Sequence, residues 1–261
     1  MNMTIKNVSD YIEKIAPLDQ AEDFDNVGLL IGNENTEVKG VLVTLDTLEE
    51  TVDEAIKKNC NLIVSFHPII FKGLKKINGN TYVEKVVMKA IQNNIAIYAT
   101  HTALDNSSVG VSAKMCEMLG LENYNILLPK QDDTTGMGMI GDLPEPMLED
   151  DFLMFTKKTF KTNGIRFSNK TGKFVKKVAV LGGSGSFAIS NAIQKKADVY
   201  ISADFKYHDF FKAEGKILLI DVGHYESEQF TKNLLVEYLT KKFTSFAIIL
   251  SEKSTNPIYY L

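Results

Sequence analysis

Apolar residues at Ile5, Val8, Ile12 and Ile15 recur at spacings of three and four, which predicts one amphipathic helix ended by Pro17. After the loop Asp25-Asn26-Val27-Gly28 the pattern becomes short continuous apolar runs. VLVTLD (41–46), NLIVSF (61–66) and IAIYAT (95–100) read as buried strands. Thr47 and Glu50 form a capping-box pattern that opens a helix behind the first run. A helix is expected over residues 82–93, and another over 111–119, stopped by Gly120. Strand runs return at KVAVLG (177–182), DVYISA (198–203), KILLID (216–221) and SFAIIL (245–250). Helices are expected near 187–196 and from about Glu226.

This alternation predicts an α/β protein with mixed or parallel sheets. Residues 129–169 break it with Gly, Pro and acidic clusters around one helical stretch near 148–160. They read as a connection between an N-terminal lobe, 1–128, and a C-terminal lobe, 170–261, packed as one unit. The lobes look duplicated. AIKKNCNLIVS (55–65) aligns without a gap to AIQKKADVYIS (192–202), and a later strand in each half leads into His-x-x-x-acid, HTALD (101–105) and HYESE (224–228). A duplicated pair of lobes with a metal site between them is the expected architecture.

Composition narrows the classes. The chain has 261 residues, 44% of them hydrophobic and 24% charged, enough to bury a core without staples. A formal net charge of −4 and scattered lysines give no footprint for nucleic acid, so none is expected as a partner. Cys60 and Cys116 lack a CxxC partner and read as buried thiols in a reducing compartment. No apolar run reaches spanning length and the chain opens into a helix, so no membrane association and a cytoplasmic location are expected.

Of the four histidines, His67, His101 and His224 follow strand runs, and the carboxyl ends of strands are where α/β sheets bind ligands. With Asp105 and Glu228 they make a donor set of imidazoles and carboxylates, suited to Zn, Fe or Mn. One or two ions per chain are expected, since a carboxylate can bridge two cations that together clamp an oxyanion. The absence of clustered cysteines argues against a structural zinc. GGSGS (182–186) has two readings: a tight turn with a serine cap, or a loop in which Gly182, Gly183, Ser184 and Gly185 cradle a phosphate. DFKYHDFF (204–211) also has two: an aromatic packing corner, or a pocket wall with His208 as a proton shuttle.

The motifs DNVGLLIG, FHPIIFKGLKKI, HTALDN, GGSGSF, DFKYHDFF and GHYESE, with the terminal NPIYYL, resemble the Nif-three-like dinuclear metal-binding family, known also as GTP cyclohydrolase I type two homologues. The resemblance is to the short form, without the middle domain that longer members insert between the lobes. It implies a homohexameric ring, built from dimers or trimers, with metal sites facing an inner cavity. It also implies that His67, Asp105 and Glu228 hold one metal, and that Glu228 bridges to a second with His224 and His101. Phe66 stands where many members have the first His of a His-His-Pro element. Phenylalanine cannot ligate a metal, so the second site loses a ligand and unequal occupancy is expected.

The activity the resemblance implies is metal-dependent hydrolysis of a nucleotide: water attacks C8 of the guanine ring of GTP, and formate is released on the way to dihydroneopterin triphosphate. The alternative is a non-catalytic metal-binding ring acting as scaffold, metal chaperone or regulatory partner, which Phe66 favours. An unrelated two-metal phosphoesterase is a third reading.

Overall fold

The computed structural model describes residues 3–130 and 134–261. Gln131, Asp132 and Asp133, part of the expected connection, lie outside the described residues. The chain runs α1 (Ile5–Ile12), β1 (Gly28–Ile31), β2 (Gly40–Thr44), α2 (Glu49–Lys57), β3 (Leu62–Ser65), α3 (Tyr82–Gln92), β4 (Ala96–Ala99) and α4 (His101–Asp105). It continues with α5 (Val111–Leu119), β5 (Glu122–Pro129), β6 (Gly136–Leu148), α6 (Glu149–Thr159), β7 (Arg166–Phe167), β8 (Phe174–Ser184) and α7 (Ile189–Gln194). The last elements are β9 (Val199–Ala203), β10 (Leu218–Asp221), α8 (His224–Glu228), α9 (Thr231–Thr240) and β11 (Ala247–Leu250).

These elements form a mixed α/β fold with two sheets, divided into two compact units. The first unit comprises Met1–Leu104 and Thr231–Pro257, the second Asp105–Phe230 and Ile258–Leu261. Those bounds differ from lobes 1–128 and 170–261. Periodicity reveals that a segment is a strand but not which strand it pairs with, and β11, late in the chain, pairs with β2 of the first unit.

In the first unit the strand order is β1-β4-β3-β2-β11. Strands β4, β3, β2 and β11 run parallel, and β1 is antiparallel at the edge. Every residue of β2, β3 and β4 is buried, as continuous apolar strands covered on both faces must be. Val52 and Ala55 of α2 and Val86, Val87 and Ala90 of α3 pack with Leu42, Ile63 and Ile97. The α2 helix starts at Glu49, later than the Thr47–Glu50 pattern suggested; the Thr51 hydroxyl, not that of Thr47, accepts from the Leu48 N–H at 3.2 Å. Beyond β11 the chain is tied down by side chains: Ser251 Oγ donates to Glu54 at 2.6 Å, and the Thr255 hydroxyl donates to Asp46.

In the second unit the order is β5-β6-β8-β9-β10-β7. Strands β8, β9 and β10 are parallel, flanked by the antiparallel β5–β6 hairpin on one side and antiparallel β7 on the other. Helices α5 and α6 contribute Cys116, Leu119, Phe152 and Leu153 to a core with Val178, Val180 and Ile201. A second cluster joins Ile189 and Ala192 of α7 to Ala179, Tyr200 and Leu219. The long strand β6 lies in the segment expected to be a connection. Its glycines and prolines interrupt the apolar alternation, and its pairing with β8 shifts between Asp142 and Met147, so the strand has no clean period in sequence.

The duplication is visible in the topology. The parallel set β2, β3, β4 with antiparallel β1 beyond β4 repeats as β8, β9, β10 with antiparallel β7 beyond β10. Asn59 and Lys196, equivalent in the ungapped alignment, both take positive φ, 53° and 59°, at the step from helix to strand. Helices α4 and α8, each five residues long, follow β4 and β10 and begin with histidine. Both cysteines are free and buried, as expected. Among the described residues no helix is long and apolar enough to cross a membrane.

Candidate functional site

The histidines predicted as donors stand just past the carboxyl ends of parallel strands, and Asp105 and Glu228 end the short helices that follow two of these strands. In the first unit β3 ends at Ser65, and Phe66 and His67 follow. His67 Nδ1 lies 2.8 Å from Oδ1 of Asp46, which follows β2. His101 opens α4 directly after β4, with a positive φ of 25°, and its N–H donates to the Phe66 carbonyl at 2.9 Å. A non-glycine residue in that region is strained, and such strain clusters at functional positions. His101 Nδ1 lies 2.8 Å from Asp25 Oδ1, and the other Asp25 oxygen accepts from the Thr102 N–H at 3.1 Å and hydroxyl at 2.5 Å. Burial opposes ionisation of Asp25, but the bonds from His101 and Thr102 outweigh it and hold the carboxyl down at about 2.

The two imidazoles are neighbours, with ring centroids 5.3 Å apart and planes at 72°. Phe66, 0% exposed, sits against both, 4.9 Å from the His67 ring and 5.6 Å from that of His101. Asp105 ends α4, four residues after His101, and is half-buried.

In the second unit Gly223 leads into α8, which carries His224 and Glu228 one helical turn apart. His224 Nε2 is 3.2 Å from Glu228 Oε2, and its Nδ1 is 2.7 Å from Asp204 Oδ2. Asp204 follows β9 in a left-handed conformation, φ 57°, and also accepts from the Ser184 hydroxyl. The bond from His224 holds the Asp204 carboxyl down at about 2. Burial disfavours the charged form of His224, but its bonds to Asp204 and Glu228 prevail and push it up to about 11. Glu228 is 3% exposed.

The glycine loop lies under this pair. Gly183 has φ 68°, and a Cβ there would fall 2.3 Å from Glu228 Oε1. The Gly183 N–H donates to Ser227 Oγ at 2.9 Å, and the Gly185 N–H to the Ala203 carbonyl at 3.4 Å. The amides of Gly183 and Gly185 are thus engaged within the protein. The glycine is needed here to leave room for a carboxylate. His208 is exposed in the 3-10 turn Tyr207–Ala213, where its ring contacts are with Tyr207 at 5.1 Å and Phe211 at 6.0 Å.

Sequence reading did not single out Asp25, Asp46 and Asp204. The available signal was position: Asp46 ends VLVTLD, Asp204 follows DVYISA, and Asp25 precedes Asn26 in a loop. His67 and His224, half-buried, and buried Glu228 are donors of the kinds a divalent ion takes.

The profile of the family described as Duf34/NIF3 (NGG1p interacting factor 3) matches residues 3–257. The chain belongs to this family. A Clostridium acetobutylicum relative named GTP cyclohydrolase 1 type 2 homolog is 34% identical over 233 residues, covering 87% of this chain and 86% of the relative. A Staphylococcus epidermidis protein of the same name is 27% identical over 366 aligned residues, covering 99% of this chain and all of its own length. That alignment is longer than this chain, so the relative has a segment without a counterpart here. Among solved structures, a hypothetical protein of Staphylococcus aureus has a TM-score of 0.93 at 30% identity, with both chains fully covered.

Proposed function

We propose that this chain binds divalent metal through His67, His101, Asp105, His224 and Glu228, and uses it to hydrolyse a nucleotide-like substrate. The observation that carries the metal reading is the pairing on α8. A nearly fully buried glutamate faces an imidazole nitrogen at 3.2 Å, over a glycine where any Cβ would displace the carboxylate. Burying a carboxylate is costly unless it is paired or coordinates a cation; His224 pairs with this one, a cation held by both would take over that role, and the gap in the loop beneath keeps the carboxylate in place. The donor set fits Zn, Fe or Mn, because imidazole and carboxylate together suit these ions.

Bound there, a divalent ion supplies Lewis acidity towards water and an electron-poor substrate carbon. The chain's own residues fix the imidazoles, through Asp25, Asp46 and Asp204, and hold Glu228 out of bulk water. The hydrolase reading draws on relatives named GTP cyclohydrolase 1 type 2 homolog, and GTP is the first substrate to test. A homohexameric ring is part of the same reading.

A second reading, a non-catalytic metal-binding ring, is favoured by Phe66, whose fully buried ring occupies the space against both first-unit imidazoles. Metal content per chain, measured with native mass, tests the metal and ring assignments together. Asp105→Ala should lower metal content, and unchanged content would remove Asp105 from the ligands. Formate release from GTP that tracks metal loading and is lost in Asp105→Ala supports the hydrolase. Formate at background with metal-loaded protein leaves the scaffold.

A further inference from the structure

Three histidines in this chain share one arrangement that their sequence motifs do not contain. His67 Nδ1 bonds Asp46, and Asp46 accepts from the Thr255 hydroxyl. His101 Nδ1 bonds Asp25, and Asp25 accepts from the Thr102 hydroxyl. His224 Nδ1 bonds Asp204, and Asp204 accepts from the Ser184 hydroxyl. The three aspartates come from different places: the end of the β2 run, the loop before β1, and the residue after β9. None is the neighbour in sequence of the histidine it holds. His208, the remaining histidine, lacks the arrangement among its described contacts, which are with aromatic rings.

We infer that Asp25, Asp46 and Asp204, each steadied by a hydroxyl, are positioning residues that fix their histidine with hydrogen on Nδ1 and with Nε2 directed to the metal. An ionised carboxylate only accepts hydrogen bonds, so the ring nitrogen facing it must carry the proton. In His67 and His101 the other nitrogen is then the one with a lone pair to give; in His224 it faces the Glu228 carboxylate at 3.2 Å and gives its lone pair when a cation replaces the proton shared there. Metal-bound histidines commonly show this outer contact, which sets ring orientation and raises ligand basicity. The hydroxyl gives each carboxylate a second anchor. For His67 that hydroxyl comes from the segment after β11, so the end of the chain helps to orient a residue near the start.

The inference rests on the metal-binding reading, and the experiment separates the two. Zinc affinity is measured by competition with a chromophoric chelator for the wild type and for Asp25→Ala, Asp46→Ala and Asp204→Ala. Each alanine variant is expected to bind about 10–100-fold more weakly, the range known for such outer contacts. The asparagine variants keep an acceptor oxygen and should recover most of the loss. In the cobalt(II)-loaded protein, each histidine bound through Nε2 gives a shifted, exchangeable Nδ1–H proton resonance. One such resonance should vanish with each alanine variant and return with asparagine, a change that a merely structural aspartate would not produce.

Alanine variants that fold, bind zinc as the wild type does and keep their resonances would overturn the inference alone. A wild type that takes up no metal overturns the metal reading and the inference with it. Should an alanine variant fail to fold, Thr255→Val, Thr102→Val and Ser184→Ala carry the test: each should weaken zinc several-fold, and unchanged affinity counts against the arrangement.

Discussion

The two units keep the same frame and fill it differently. Carried two residues past its end, the ungapped alignment places His67, after β3, opposite Asp204, after β9. One position therefore carries an imidazole in the first unit and the carboxylate supporting an imidazole in the second. His101 and His224 keep a common place, first residue of a five-residue helix after a parallel strand. The first unit presents two imidazole rings against Phe66. The second presents one imidazole between two carboxylates. The comparison teaches that duplication preserved where side chains emerge, because strand ends are set by the buried sheet. The chemistry at those ends was free to diverge, since a strand-end side chain is not part of the core.

The largest test of this asymmetry is Phe66→His. Losing a fully buried aromatic should cost roughly 3 kcal/mol in thermal melts of the metal-free protein. If Phe66 is what limits the first unit's donors, metal per chain should rise, while Phe66→Leu leaves it unchanged. Equal metal content in all three proteins would place the limit elsewhere.

Next in size, Gly183→Ala acts on the second unit. A left-handed alanine costs ~2 kcal/mol, and its Cβ displaces Glu228. Zinc titration should show at least a tenfold loss. An alanine variant with full affinity would mean that Glu228 is not held where it ligates.

Glu54 probes the fastening of the first unit's late segment. Burial raises its pKa, but bonds from Ser251, the Glu252 N–H and Lys58 outweigh that and keep the carboxyl below its ordinary value of 4.5. A lowered folded value contributes stability that is fully present above 4.5 and is lost as pH falls through the lowered value. Glu54→Gln should cost about 1 kcal/mol at neutral pH and flatten this part of the acid denaturation curve. An acid profile parallel to that of the wild type would show that Glu54 does not set it.

The smallest effect is read from the thiols, one per unit. Burial pushes Cys60 up to about 11 and Cys116 up to about 12. Alkylation at pH 8, followed by mass spectrometry, should be slow at both and faster at Cys60. In rising denaturant, coincident labelling would show that the units unfold together, and separate labelling that they do not.

The sequence by itself determined the elements whose signal is local. Continuous apolar runs mark β2, β3, β4, β8, β9 and β10, because strands covered on both faces need them. Gly120, at φ 64°, stops α5 as expected. The candidate donors His67, His101 and His224 were readable because they follow those runs, and Glu228 because it stands four residues after His224. Only the tertiary structure decided what depends on partners distant in sequence. It pairs β11 with β2, makes β6 a strand despite its glycines and prolines, and uses Gly183 to clear Glu228. It also brings Asp25, Asp46 and Asp204 to the histidines. A lone aspartate after a strand carries no period and no motif, and its meaning appears only when a ring nitrogen from elsewhere in the chain arrives 2.7–2.8 Å away.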